Sequence, residues 1–220
     1  MNSHHVAIGV GRLGASVAMA LLALTGCSQP DEGAGTTASK GTAEAADAQC
    51  ELLTAAELVS LTGKKLEGRG TTITGSTIRA CQYGELETVG LQVAKVPADE
   101  WAKALPGVVE QFKANGAMGS SDVLAQLEKA AKVIEEGNTL PPGKACEFFS
   151  TLVEVQGKPP QTRSITAYVP TADDPVAISA QSCQGDTYVS LLVGRPDITP
   201  GSELESLITQ TLDRLNPEKG

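Results

Sequence analysis

Histidine is absent from the chain beyond its fifth residue: His4 and His5 are the only two. Aromatic residues are scarce, with one Trp, three Tyr and three Phe among 220 residues. Basic charge is short as well, with 17 Lys and Arg against 26 Asp and Glu and a net charge of −9. No apolar run reaches the ~20 residues that a membrane-spanning helix needs. If residues 1–26 are removed after export, both histidines go with them. Ser-His-Asp and Cys-His catalysis and imidazole zinc sites are then excluded. The acidic balance argues against nucleic acid and against unassisted adhesion to anionic lipid. No calcium-loop spacing occurs among the acids, and no metal site or cofactor is expected.

What is present begins with an export signal. A weakly basic start is followed by the apolar run LGASVAMALLAL and by Leu24-Thr25-Gly26-Cys27. A leucine, two small residues and a thiol make a lipobox, so residues 1–26 are expected to be cleaved and Cys27 to carry lipid. An ordinary secretory signal or an uncleaved anchor is the alternative. Ser28–Gln49 has no large apolar residue and five scattered charges. It cannot bury enough surface to offset its ordering entropy, so residues 27–49 are expected to form a flexible lipidated tether. A coil of that length spans about 25 to 30 Å. Two or three acyl chains would hold the chain to the extracytoplasmic face of the cell membrane.

Four cysteines remain, Cys50, Cys81, Cys146 and Cys183. An even number in an exported chain points to two disulfides, and the long gaps between them do not resemble paired zinc ligands. Of the three connectivities, Cys50–Cys81 and Cys146–Cys183 close the shorter loops. The second pair carries an objection: if Cys146 begins the first strand of a meander and Cys183 ends the third, the two lie at opposite ends.

Residues 50–220 read as one α+β domain, an antiparallel sheet of about six strands covered by helices. Thr54 with Glu57 forms a capping box before a short helix stopped at Gly63. TTITGSTIRACQYG and LETVGLQVAKVP read as a hairpin turning near Gly84-Glu85 and ending at Pro97. Helical pieces follow over Ala98–Leu105, Val108–Lys113 and from Ser120 or Ser121 to Gly137, with Pro106-Gly107 as an interruption. After Pro141-Pro142-Gly143, four runs read as strands: CEFFSTLVEV, TRSITAYVP, VAISAQSC and TYVSLLVG. The segment SELESLITQTLDRL reads as a closing amphipathic helix.

Cys50-Glu51-Leu52-Leu53-Thr54 is echoed by Cys146-Glu147-Phe148-Phe149-Ser150, and Ala80-Cys81-Gln82 by Ser182-Cys183-Gln184. Duplication of a half of about 100 residues and coincidence both account for this. CELLTAAELVSLTG followed by ACQYG resembles actinobacterial cell-envelope lipoproteins that carry a domain of unknown function. That resemblance implies an extracytoplasmic α+β lipoprotein and transfers no catalytic motif.

Other candidate chemistry is thin. Gly9-Val10-Gly11-Arg12-Leu13-Gly14 spells a nucleotide-binding pattern, but inside the signal and without a preceding strand. Asp173-Asp174, Glu135-Glu136 and the basic Lys64, Lys65 and Arg69 read as solvated surface. Trp101, at helical spacing with Ala102, Leu105 and Phe112, reads as core or as the wall of a ligand cleft, and Tyr83, Tyr168 and Tyr188 lie on strands. The expected function is a non-enzymatic binding or interaction module whose partner is an envelope protein or a small ligand. The alternative is a histidine-independent enzyme using carboxylates or a Ser-Lys pair. A ligand carrier requires a cavity between sheet and helices; the enzyme requires acids, or a serine and a lysine, converging in one concave site. A docking subunit requires an exposed apolar patch of several hundred Å².

Overall fold

The computed structural model describes residues 48–114 and 121–217. The expected signal, the expected lipidation site Cys27 and nearly all of the expected tether lie outside them. Gln49, read as the last tether residue, belongs to the domain. Its amide accepts from the Lys95 N–H at 2.8 Å and donates to the Lys95 carbonyl at 3.0 Å. A glutamine amide carries the same donor and acceptor as a peptide group, so it stands in for a neighbouring strand.

The first helix, α1 (Ala55–Thr62), starts where the sequence says it must. The Thr54 hydroxyl accepts from the Glu57 N–H, and the Glu57 carboxylate accepts from the Thr54 N–H at 2.8 Å. Gly63, at φ +73°, ends it in a left-handed conformation that costs a glycine little. The chain then runs through β1 (Gly68–Thr72), β2 (Arg79–Glu85), β3 (Val89–Pro97), α2 (Ala98–Ala102), α3 (Leu105–Ala114), α4 (Ser121–Glu135) and α5 (Pro142–Val155). It finishes with β4 (Ser164–Pro170), β5 (Pro175–Gln184), β6 (Thr187–Gly194) and α6 (Glu203–Leu215). The six strands form one antiparallel sheet in the order β1-β2-β3-β6-β5-β4.

Alternation along each strand assigns its side chains to two faces. Cys81, Leu91, Val93, Ile178, Val189 and Leu191 point to a back face, where α1 and α6 bring Leu58, Leu61, Ile208 and Leu212. Ala80, Ala94, Val96, Cys183 and Tyr188 point to a front face covered by α2, α3, α4 and α5. Both cores are predominantly apolar, and each fully buried Leu or Ile contributes about 1.5 to 3 kcal/mol. The front core is centred on Trp101, Phe149 and Tyr188, whose rings lie 5.5 to 6.0 Å apart. Edge-to-face and offset contacts of that kind add to burial.

Three local expectations are corrected. CEFFSTLVEV is not a strand but the body of α5. Its buried Ala145, Cys146, Phe149, Leu152 and Val153 follow the helical repeat, and Pro142 opens the helix, where its missing N–H costs nothing. TTITGSTIRACQYG is two strands, because Ile73–Ile78 folds into a turn closed by hydrogen bonds between those residues. Pro106-Gly107 does not separate two helices but sits in the first turn of α3. The count of six strands stands because one run split while another proved helical.

Cys50 is bonded to Cys81 and Cys146 to Cys183. With Cys146 on a helix lying over the front face, the objection from a strand meander disappears. The two bridges lie on opposite faces of the sheet. The helix preceding each three-stranded half follows suit: α1 packs on the back and α5 on the front. The central strands β3 and β6 are antiparallel, so a rotation exchanging the halves would keep each helix on its own face. No rotation superposes both the strands and their leading helices, and the cysteine echo does not extend to the fold.

Candidate functional site

The described residues do not cover the front face along its whole length. Toward the Gly90 end of β3, Gln82, Gln92, Leu192 and Ser179 form one cross-strand row, each opposite the next in the register. All four are half-buried. With Ser190 and Gln181 from the row behind, they make the floor of a cavity of about 450 Å³. Its lining draws on every strand, from Thr71 on β1 to Val169 on β4. Five inter-strand steps make a trough about 24 Å long.

One wall is helical: Trp101 of α2, Ala104, and Val108 of α3. A second is the Ile73–Ile78 turn. The end wall is the turn joining β2 to β3, which bends back over the sheet and presents Leu86. This fold-over depends on two glycines. A Cβ on Gly194 would lie 2.1 Å from the Leu86 carbonyl oxygen, and one on Gly90 would lie 2.8 Å from that of Glu85. Both obstacles are backbone, so any side chain at either position must lift the turn. At the far rim stand Val169 and Val176, and Val176 is 55% exposed, unusual for a large apolar residue here.

The polar floor is partly fixed and partly open. The Tyr188 hydroxyl donates to the side-chain Oε1 of Gln181 at 2.9 Å, and Gln181 Nε2 donates to the Ser179 hydroxyl at 3.3 Å. Burial pushes the Tyr188 phenol far up, so it stays neutral and serves as a fixed donor. Gln82 donates to the Gly84 carbonyl at 3.1 Å. The Gln92 amide has no protein partner among the described residues, which leaves two donors and an acceptor at the centre of the floor. Among the described residues Glu85 and Glu87 are the only charged ones of the lining, and both are exposed. Arg69, opposite Gln82 at the β1 end of the floor row, lies 3.5 Å from Glu85, while Glu87 has no ion-pair partner among the described residues.

Comparison with protein-family models, with curated proteins and with solved structures gives no match for this chain. The site therefore rests on its own geometry.

The residues singled out in the sequence are scattered relative to this trough. Trp101 is both core and wall: only 3% exposed, it packs on Phe149 and Tyr188 and meets the cavity. Tyr188 lines the cavity. Tyr83 and Tyr168 face the back, where Tyr83 donates to the Cys50 carbonyl at 2.7 Å and Tyr168 donates to Glu205. Asp173-Asp174 and Glu135-Glu136 are exposed, and Lys64 and Lys65 lie on the loop after α1. Among the described residues no lysine lines the trough. Among the described residues no group of three His, Cys, Asp or Glu side chains gathers as metal ligands, and no helix is long and apolar enough to cross a membrane. Gln82, Gln92, Leu86 and the two glycines were not anticipated, because only the cross-strand register brings them together.

Two surface carboxylates are held by local structure away from the trough. Burial alone would raise Glu57, but the capping hydrogen bonds from Thr54 and the Arg214 guanidinium outweigh it and hold the carboxyl below its ordinary range. Asp197 is lowered by its paired hydrogen bonds with Arg195, at 2.8 and 2.6 Å.

Proposed function

We propose that this protein is a lipid-anchored, extracytoplasmic binding protein that holds a small ligand in the front-face trough. The observation that carries the reading is the cavity of about 450 Å³, within the ~300 to 1,000 Å³ range of small-ligand sites, between sheet and helices. Apolar walls with a few placed polar groups suit recognition of one orientation of a ligand. Leu24-Thr25-Gly26-Cys27 supports the anchor, and two disulfides support an oxidising compartment. The enzyme alternative draws less from the geometry: the lining pairs no serine with a lysine, and its two carboxylates stand at the rim.

Native mass spectrometry of the protein extracted from membranes tests the reading. The expected species begins at a diacylated Cys27, contains two disulfides and releases a small molecule on unfolding. A chain retaining Met1, or one processed elsewhere without lipid, contradicts the anchor. A consistently empty protein contradicts the carrier role.

A further inference from the structure

We infer that the trough selects an elongated amphiphile without negative charge: an apolar body with a hydroxyl-bearing or cationic head. This rests on the reading of the trough as a ligand site and specifies what enters it. Length comes from the run of the cavity across all six strands, from Thr71 to Val169. The apolar body is matched by Trp101, Leu86, Val108 and Val169. Hydrogen-bonding groups are matched by the open amide of Gln92, which can both donate and accept, and by the half-buried Ser179 and Ser190 beside it.

Charge selection comes from the lining, which among the described residues carries two carboxylates and no cation, the adjacent Arg69 being engaged by Glu85. Anion sites ordinarily supply Arg, Lys or a helix N-terminus to replace lost hydration. Here an anionic head would meet Glu87 unpaired at the mouth and Glu85 only loosely offset by Arg69. The β4–β5 turn beyond Val169 adds Asp173 and Asp174, both exposed. Burying a carboxylate or phosphate among neutral amides and hydroxyls, next to like charge, costs binding.

The test uses the full chain carrying Cys27→Ser, so that no protein-bound lipid competes. Octyl glucoside, octyltrimethylammonium and octanoate are titrated below micelle formation, with the fluorescence of Trp101, the single tryptophan, as the readout. The glucoside and the ammonium compound are expected to bind, and octanoate at least about tenfold more weakly, with the gap narrowing as salt is added. Glu85→Gln with Glu87→Gln is expected to bring octanoate to within about threefold of the glucoside. Gln92→Leu is expected to weaken the glucoside about fivefold, the loss of one hydrogen bond. Octanoate binding as tightly as the others, or a gap unmoved by the double variant, overturns the charge selection and leaves the trough reading intact. If none of the three binds, the trough reading itself fails.

Discussion

Gly194 and Gly90 hold the end wall of the trough by having no side chain. In a close-packed interior a methyl group that meets backbone cannot be absorbed by a rotamer change, and overpacking costs about 1 to 3 kcal/mol. Gly194→Ala is therefore expected to lower stability in urea by that amount and to lift the Leu86 turn, enlarging the trough and weakening its ligands. Gly107→Ala is the matched control, because nothing lies within 4 Å of its Cβ position. At the other pole of the domain, Thr54→Ala removes the cap of α1 and is expected to cost about 1 kcal/mol. The linked carboxylate gives a pH signature. The Glu57 pKa is lowered in the fold, so its contribution is complete above the ordinary value of 4.5 and is lost as pH falls through the lowered one. Urea midpoints of the parent and of Glu57→Gln, taken from pH 7 to pH 3, are expected to converge at the acid end.

Each disulfide ties a helical region to the middle strand of its half, the segment leading into α1 to β2 and α5 to β5, on opposite faces. Loops of 31 and 37 residues imply about 3 to 4 kcal/mol per bridge by the loop-entropy account. Replacing Cys146 and Cys183 by Ser is expected to lower stability by about that much. Because α5 carries Phe149, which supports Trp101 from the side away from the cavity, the same variant is expected to broaden the Trp101 emission. At this scale the sequence was read well where a terminus has its own chemistry. The Thr54–Glu57 box, Gly63 and Pro97 each marked a boundary, and α+β class followed from the order of elements. It was misread where composition and periodicity disagreed. Phe148, Phe149, Thr151 and Val153 favour a strand by type, whereas the spacing of Ala145, Cys146, Phe149, Leu152 and Val153 is that of a helix, and the spacing decided. The trough was legible only as a demand that some cavity exist. Gln82, Gln92 and Ser179 are ordinary polar residues, distant in the chain, until strand order places them in one row.

Seen whole, the molecule is a sheet sealed on its back by α1 and α6 and left open along one end of its front. The sealing helices and both cores account for stability, while the open end concentrates what the packing does not need: an unpaired amide, an exposed Val176 and uncompensated acid. Gln49 brings the chain into the domain beside the Lys95 backbone, toward the Pro97 end of β3 and away from the Gly90 end where the trough lies. The account stands or falls on whether the trough takes a ligand, and the single tryptophan in its wall makes this measurable. The neutral dye N-phenyl-1-naphthylamine is titrated into the full chain carrying Cys27→Ser, with energy transfer from Trp101 as the signal. One saturable site is predicted, abolished by Ser179→Phe, which fills the floor, at unchanged far-ultraviolet circular dichroism. Transfer that does not saturate, or a site that Ser179→Phe leaves untouched, would contradict it.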